Sequence, residues 1–445
     1  RHDAARSGTT PTAVAPAVKE AWATQVGGRL SAPVVAGGTV CVADVDAHTV
    51  HALDAETGEA RWQYTAGGRV DSPPTVHGGR VLFGACDGYV YCLRAADGAL
   101  AWRFRAAPLD QRCMHFEQLE SVWPVHGSVL IRETDGGKGA EAWCVAGRSM
   151  FLDGGMRLVR LDAATGRVLS ETVLDTRAPG GEKRLQDFVS WLNMPTAMPD
   201  ILSSAGGLIY MRAQPFRPDG TRLPLEKMPT SGDADKGAPP ATQDPARAHL
   251  FSPTGFLDDS YWHRTYWLYG STWVSGWCGY FRAGKAAPAG KILVFDADRV
   301  YGYGRLPKFY RWTTPLEHHL FATPKSAPVQ GGEGSPDQWT RPVPLVPRGM
   351  VLAGRTLFFA GPPDLVDEQR AMGRLAEPAV QQALADQNAA MRGKKGAMLW
   401  AVSADAGRTL AEQDLAAPPV FDGLIAARGR LYMATTDGTV RCFSP

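Results

Sequence analysis

Residues 31–62 read SAPVVAGGTVCVADVDAHTVHALDAETGEARW, and residues 72–102 read SPPTVHGGRVLFGACDGYVYCLRAADGALAW. Each copy contains a short apolar strand led by proline, a Gly-Gly turn, a second apolar strand, a turn containing Asp, an alternating third strand and a glycine turn before a tryptophan. Trp22, Trp62 and Trp102 are forty residues apart, a spacing typical of one four-stranded propeller blade. The sequence therefore predicts an all-β propeller.

The two ends of the chain predict how the ring closes. Residues 429–443, GRLYMATTDGTVRCF, align without a gap on residues 79–93, GRVLFGACDGYVYCL, but the sequence ends where the fourth strand of this blade should begin. Residues 19–26, KEAWATQV, carry the blade-terminal Trp22 with no strands of that blade before it. We therefore predict that the N-terminal strand completes the C-terminal blade and closes the ring, which removes exposed sheet edges.

Weaker copies of the repeat at 156–174, 206–212, 291–305 and 399–415 set the blade count. They favour seven blades in a single domain of residues 1–445. The alternative count is eight blades, if residues 250–342 hold two irregular blades instead of one. Residues 215–248 are rich in Pro, Gly, Asp and Lys, which predicts a mobile surface loop. Residues 361–397 predict a helical insertion in blade six, kinked or divided at Pro378, that covers a sheet edge or acts as a lid over the rim.

Composition excludes some classes of partner. Lys and Arg total 47 against 45 Asp and Glu, a net charge of +2, which gives no electrostatic footprint for nucleic acid. No apolar run is long enough to be a transmembrane helix. The chain begins at Arg1 without a methionine, so we expect an extracytoplasmic protein, periplasmic or secreted, whose leader is absent here.

The sequence predicts no metal site. Seven cysteines include no C-x-x-C pair, so they form neither a zinc motif nor an obvious disulfide framework. His318 and His319 are adjacent, and neighbouring side chains of a strand point in opposite directions.

The repeats resemble the PQQ-like propeller repeat family, which includes quinoprotein alcohol dehydrogenases and an outer-membrane assembly lipoprotein. Three segments, 120–131 (ESVWPVHGSVLI), 146–155 (AGRSMFLDGG) and 256–270 (FLDDSYWHRTYWLYG), also resemble a group of exported bacterial propellers described only as PQQ-binding-like. The resemblance implies the fold and not an activity. The dehydrogenases place a disulfide between adjacent cysteines over the quinone and bind Ca²⁺ nearby. This sequence has no adjacent cysteines, so bound PQQ is not expected and we predict no cofactor.

Long insertions predict where ligands bind. In a four-stranded blade, the connection to the next blade and the loop between the second and third strands open on the same face, and long loops on rigid scaffolds carry binding groups. Three such segments, 108–124, 146–155 and 182–195, hold candidate polar and aromatic residues on this face. The candidates are Arg112, His115, Glu117, Glu120, Arg148, Asp153, Asp187, Trp191 and Asn193. An alternative is that Arg148 and Glu120 only form a structural ion pair that fixes a loop.

The aromatic run Tyr261–Trp267 adds His263, Arg264 and Tyr266 as candidates. Strand alternation sends His263 to one side and Arg264 and Tyr266 to the other, so they do not form one site.

Two classes of function follow from these residues. The first is binding of a polysaccharide or glycan on the funnel face, with Arg112, Glu117, Asp153, Asp187, Trp191, Asn193 and Arg264 as contacts. The alternative is a metal-independent polysaccharide lyase, in which His115, Arg148, Glu120, His263 and Tyr266 would neutralise charge and transfer protons. A protein-binding scaffold and a quinone-dependent dehydrogenase rank lower.

Overall fold

The computed structural model describes residues 3–115, 117–178, 201–212, 214–224, 244–252, 266–271, 287–305, 318–325 and 338–445. The chain is an all-β propeller of eight blades, each an antiparallel sheet. The first three blades have four strands each. These are Val34–Ala36, Thr39–Asp44, Thr49–Asp54 and Ala60–Thr65 in blade 1, Thr75–His77, Arg80–Gly84, Tyr89–Arg94 and Leu100–Arg105 in blade 2, and Leu130–Thr134, Gly139–Ala146, Met156–Asp162 and Val168–Leu174 in blade 3.

Blades 4 and 5 have three strands each in the described residues, and blades 6 to 8 have four antiparallel strands each, of which the fourth strand of blade 8 comes from the N-terminal part of the chain. The strands are Ser203–Ala205, Leu208–Met211 and Gln214–Phe216 in blade 4; His249–Phe251, Trp267–Gly270 and Ala289–Gly290 in blade 5; Ile292–Phe295, Arg299–Arg305, His318–Pro324 and Trp339–Arg341 in blade 6; Gly349–Ala353, Thr356–Gly361, Ala397–Ser403 and Thr409–Leu415 in blade 7; and Pro419–Ala427, Arg430–Thr435, Thr439–Ser444 and Lys19–Gln25 in blade 8. A separate hairpin, Arg112–His115 with Gln118–Ser121, lies between blades 2 and 3.

The preferred prediction of seven blades is wrong. Residues 250–342, counted as one blade, contribute two sheets, blades 5 and 6, as the alternative allowed. The repeat is hidden there because long inserts separate the strands. The insertion at 361–397 consequently belongs to blade 7 and not to blade six. It contains helices α1, Glu368–Ala371, and α2, Pro378–Met391.

Of the two interpretations of Pro378, the second is correct: Pro378 divides the insertion by starting α2, because at the first helical turn its missing N–H costs no hydrogen bond. One detail of the sequence interpretation changes. The proposed loop at 215–248 begins inside a strand, since Gln214–Phe216 pairs with Leu208–Met211 and Phe216 is fully buried. Two further short helical turns are Asp135–Gly137 and Pro245–Arg247.

Tryptophans fasten four of the blades to the next one in the part of the chain that the structure describes. The indole nitrogen of Trp62, at the end of blade 1, donates to the Ala95 carbonyl of blade 2 at 2.9 Å, and the ring lies against Gly98, where a Cβ would come within 2.7 Å of it. Gly98 has a φ of +73°, a conformation that glycine adopts without strain. Trp22, Trp102 and Trp339 make the same donation to Ala55, Ala163 and Ala404. The repeated tryptophan is therefore a contact between blades.

Both ends of the chain contribute to blade 8. Lys19–Gln25 pairs antiparallel with Thr439–Ser444, with Trp22 opposite Cys442. Buried side chains of blade 8, including Tyr432 and Val440, pack with Val40 of blade 1 in one apolar cluster. Blade 8 therefore depends on residues that are more than 400 positions apart in the sequence.

The segment before this strand lies along the axis of the ring. Arg6 donates to the carbonyl of Leu202 in the connection to blade 4. Ser7 accepts from the Phe295 amide of blade 6, and Gly8 accepts from the Leu352 amide of blade 7. Thr9–Thr10 then pairs parallel to Leu352–Ala353. Residues 3–12 thus join the inner strands of several blades.

Within the described residues, no helix has the length and apolar character needed to cross a bilayer.

Candidate functional site

The blade connections and the loops between second and third strands surround an axial cavity, which we call the funnel. Its volume is about 540 Å³, within the usual range for small-ligand sites. Phe421 supplies an aromatic surface in its lining. Charges of both signs share this lining, namely Arg6, Arg29, Arg348, Asp71, Asp422 and Asp437.

A series of alternating charges leads from the funnel wall to the outer rim. Asp71 lies 3.1 Å from Arg69, and Arg69 lies 2.6 Å from one carboxylate oxygen of Glu120. The other oxygen of Glu120 lies 2.9 Å from Arg148 and 3.3 Å from His115. We call Asp71, Arg69, Glu120 and Arg148 the charge chain. It joins the hairpin at 112–121 to the loop at 147–155.

Glu120 is the buried centre of this chain, with 1% of its side chain exposed. Burial of a carboxylate is costly unless opposite charges and hydrogen bonds compensate it, and here two arginines do so. Arg148 and Glu120 thus form the structural ion pair that was the alternative interpretation of these two residues. Glu120 is therefore well placed to organise the rim.

His115 and Arg148 remain partly accessible, with 41% and 21% of their side chains exposed. Burial and the neighbouring Arg148 charge lower the pKa of His115, although Glu120 opposes this shift. Arg148 also donates to the Cys113 sulfur at 3.0 Å. The rim thus presents a neutral imidazole and a fixed guanidinium at neutral pH.

A second cluster, formed by Asp71, Cys86 and His126, meets the charge chain at Asp71. Asp71 Oδ2 lies 2.7 Å from His126 Nδ1 and accepts from the Cys86 sulfur at 3.0 Å. The Cys86 sulfur and His126 Nδ1 are 3.5 Å apart. Burial alone would raise the pKa of Asp71, but His126 and Arg69 outweigh it and lower this pKa to about 2.

This cluster does not have the arrangement of a nucleophilic triad. Cys86 is fully buried, and burial followed by the charges of Asp71 and Glu120 raises the pKa of its thiol. A reactive cysteine needs a lowered pKa and access to substrate. In addition, a single nitrogen of His126 faces both Asp71 and Cys86, whereas a triad uses one nitrogen for the nucleophile and the other for the carboxylate.

The other predicted site residues are not members of the charge chain. Arg112 is exposed in the hairpin and lies 3.3 Å from Asp110. Glu117 and Asp153 are exposed turn residues with positive φ, and the Asp153 carbonyl accepts from the Trp123 indole at 3.0 Å. Tyr266 is only 3% exposed. Asp187, Trp191, Asn193, His263 and Arg264 lie outside the described residues.

Sequence reasoning missed four residues that the fold brings together, Arg69, Asp71, Cys86 and His126. Comparison of the repeats with one another singles out two of these four residues, Asp71 and Cys86. Residues 67–73, GGRVDSP, repeat residues 27–33, GGRLSAP, with Asp71 in place of Ser31. In the alignment of 79–93 with 429–443, Cys86 replaces Thr436. Both residues depart from the repeat pattern in loops on the same face of blade 2. Such departures would have indicated this cluster.

The fold and the tryptophan contacts define this chain as an eight-bladed β-propeller with blades linked by tryptophans. Residues 6–195 match the family described as "Outer membrane protein assembly factor BamB". The predicted resemblance to PQQ-like repeats is thereby confirmed for this part of the chain. None of the curated protein sequences matches the chain significantly.

Solved structures extend the similarity of fold to the rest of the chain. The quinohemoprotein alcohol dehydrogenase from Comamonas testosteroni is 16% identical, with 99% of this chain and 79% of that chain covered and a TM-score of 0.56. The quinohemoprotein alcohol dehydrogenase ADHIIG from Pseudomonas putida HK5 is 14% identical over 96% and 76% of the two chains, with a TM-score of 0.54. BamB from Moraxella catarrhalis is 12% identical over 96% and 98%, with a TM-score of 0.38. At these identities the similarity to the two dehydrogenases establishes the fold alone.

Proposed function

We propose that this protein is an extracytoplasmic binding protein that holds a glycan in the funnel. The observation that carries the proposal is the mixed lining of the cavity, three arginines and three aspartates around Phe421. Closely spaced donors and acceptors suit a molecule with many hydroxyl groups, and an aromatic ring suits the apolar face of a sugar. A strongly anionic polymer would instead favour a basic excess.

Binding is favoured over lyase chemistry by the state of the candidate catalytic groups. Both oxygens of Glu120 are already engaged by arginines, and Tyr266 is buried. An acid or base must come within hydrogen-bond reach of the substrate. We therefore assign Glu120 a positioning role and leave ligand contact to the accessible groups of the funnel and rim.

Export is part of this proposal. It rests on the match of residues 6–195 to a family described as an outer membrane assembly factor. Fractionation of the native host, with the protein followed by antibody, would place it outside the cytoplasm. Recovery in the cytoplasmic fraction would contradict this.

Arg29→Ala should weaken glycan binding tenfold or more, which is about 1.4 kcal/mol, because Arg29 lines the funnel and forms a forked pair with Asp46. A glycan array should first identify the ligand, and calorimetry should then compare the variants. Arg94→Ala is the matched control. Arg94 and Asp97 form a forked pair of similar exposure, but on a turn between third and fourth strands at the opposite face. Equal losses in both variants would contradict a funnel site.

His115→Ala should reduce binding of longer oligosaccharides about tenfold, again about 1.4 kcal/mol, while short fragments bind as before. The reason is that His115 lies at the outer rim and not in the funnel lining. His77→Ala is the control, since His77 is partly exposed beside Glu133 on the opposite face. An identical loss for short and long ligands would place His115 in the primary site and contradict this assignment.

A protein partner is a second candidate, favoured by exposed apolar side chains beside the charge chain. Met114 and Leu119 are opposite each other in the hairpin and are 69% and 55% exposed. Phe151 and Leu152 are exposed in the neighbouring loop, which Arg148 holds against the hairpin. Adjacent exposed apolar residues often mark protein contacts.

Replacing Met114 and Leu119 together by serine should abolish capture of a partner from envelope extracts of the native host and leave glycan binding unchanged. Crosslinking followed by mass spectrometry would identify the captured protein. The control is Leu100→Ser, which alters an exposed leucine on an outer strand of blade 2. Retention of the same partner by the double variant would contradict this interface.

A further inference from the structure

We propose that Asp71, Cys86 and His126 bind a divalent transition metal ion, of which zinc is the best fit, in the wall of the funnel. One oxygen, the sulfur and one ring nitrogen of these residues all lie within 4.8 Å of one another. Asp71 lines the funnel, so a bound ion would adjoin the cavity. The inference is independent of the glycan proposal, because metal binding requires no other ligand.

The donor set matches zinc chemistry. Zinc in proteins is bound by cysteine sulfur, histidine nitrogen and carboxylate oxygen in tetrahedral geometry, with bonds of about 2.0–2.3 Å. Such bonds separate neighbouring donors by about 3.4 Å. The three separations here are 2.7, 3.0 and 3.5 Å, so the donors would move by less than about 1 Å on binding. Three protein donors leave the fourth position for water or a ligand from the funnel.

The three donors come from connections that the fold fixes around blade 2. Asp71 lies between blades 1 and 2, Cys86 between the second and third strands of blade 2, and His126 between blades 2 and 3. The Ser72 hydroxyl donates to the His126 carbonyl, and the Ser121 amide donates to the Cys86 carbonyl at 2.7 Å. The backbone at each donor is therefore held before any ion binds.

The charges of the ligands match a divalent cation, and the neighbouring Arg69 is itself paired with Glu120. Arg69 contacts the other Asp71 oxygen at 3.1 Å, and its guanidinium lies 3.8 Å from the Cys86 sulfur. Ligating carboxylates are usually hydrogen-bonded in this way. A carboxylate and a thiolate would balance the two charges of the ion, and Glu120 is shared between Arg69 and Arg148. The thiol proton would leave to solvent when the sulfur–metal bond forms.

Sequence motifs do not reveal this site because the donors are 15 and 40 residues apart in the chain, whereas zinc motifs are recognised by short ligand spacings. The competing interpretation is a purely hydrogen-bonded cluster with a neutral thiol and no affinity for metal. The two interpretations differ in whether the sulfur bonds to an added ion.

Cobalt titration of the full-length, tag-free protein after chelator treatment and dialysis decides between them. We expect a thiolate-to-cobalt band in the near ultraviolet and visible bands of tetrahedral intensity, saturating at about one ion per chain. Zinc should displace the cobalt and raise the melting temperature, since an ion that binds the folded state stabilises it. Cys86→Ser should lose the near-ultraviolet band. Cys113→Ser, the matched control on the same face, should keep it.

Absence of a thiolate band in the wild-type protein would overturn the proposal, as would a band that survives Cys86→Ser and disappears in Cys113→Ser. Circular dichroism would check that each variant is folded. If Cys86→Ser does not fold, Asp71→Asn and His126→Gln provide the decision. A tenfold or larger loss of cobalt affinity in both supports the site, and unchanged affinity in both rejects it.

Discussion

A chain lacking residues 1–27 should lose most of its stability, because the deletion removes one strand of blade 8 and the segment on the axis. Without Lys19–Gln25, the strand Thr439–Ser444 loses its outer partner, and the exposed edge can pair with other chains. The Trp22 contact with Ala55 of blade 1 is lost as well. The total free energy of unfolding of a domain is only about 5–15 kcal/mol, so we expect unfolded or aggregated protein.

Deletion of residues 1–12 is the comparison that separates the two contributions. It removes the axial hydrogen bonds of Arg6, Ser7 and Gly8 but keeps the strand that carries Trp22. We expect a folded protein whose melting temperature falls by several degrees. Melting curves and size-exclusion chromatography would measure both deletions. A 1–27 deletion that melts like the full chain would contradict the assignment of Lys19–Gln25 to blade 8.

Glu120→Ala should destabilise the protein by about 3–5 kcal/mol, the usual cost of leaving a buried charge without its partner. The change leaves Arg69, itself buried, without its 2.6 Å contact to Glu120 and also releases Arg148. Denaturant unfolding followed by tryptophan fluorescence would measure the loss. Glu120→Gln, which keeps the size of the side chain but not its charge, should give an intermediate loss.

Glu56→Ala is the matched control for Glu120. Glu56 also lies between two arginines, at 3.6 Å from Arg428 and 2.6 Å from Arg430, but 47% of its side chain is exposed. Exposed ion pairs contribute about 1 kcal/mol or less. Equal losses in the two variants would show that burial of Glu120 is not what makes its contacts important.

Local repetition made most of the fold predictable. Trp22, Trp62 and Trp102 mark the repeat because each must reach the next blade at the same place. The match of 429–443 to 79–93 likewise predicted the partner of residues 19–26, which the structure pairs with the last strand. Blades 5 and 6 were merged because the strands of blade 5 are only two to four residues long and long inserts separate the strands in this part of the chain.

The candidate site was only partly predictable, for a physical reason. The sequence placed His115, Glu120 and Arg148 on one face, and the structure brings these three together. It did not identify Arg69, Asp71, Cys86 or His126. Their contacts cross two blade connections, and strand periodicity says nothing about which loop side chains meet. Nor did it predict that Glu120 is buried, since its partners Arg69 and Arg148 come from two other loops.

Hydrogen–deuterium exchange with and without a bound oligosaccharide tests the central proposal of a glycan in the funnel most directly. Backbone amides exchange more slowly where a ligand restricts local opening. We predict protection in the connections at 26–33, 66–73 and 416–423, which carry funnel residues. We predict no change in the turns at 36–39, 77–80 and 427–430, which lie at the opposite end of the axis. Protection confined to those turns would contradict the account, as would protection on neither face at saturating ligand.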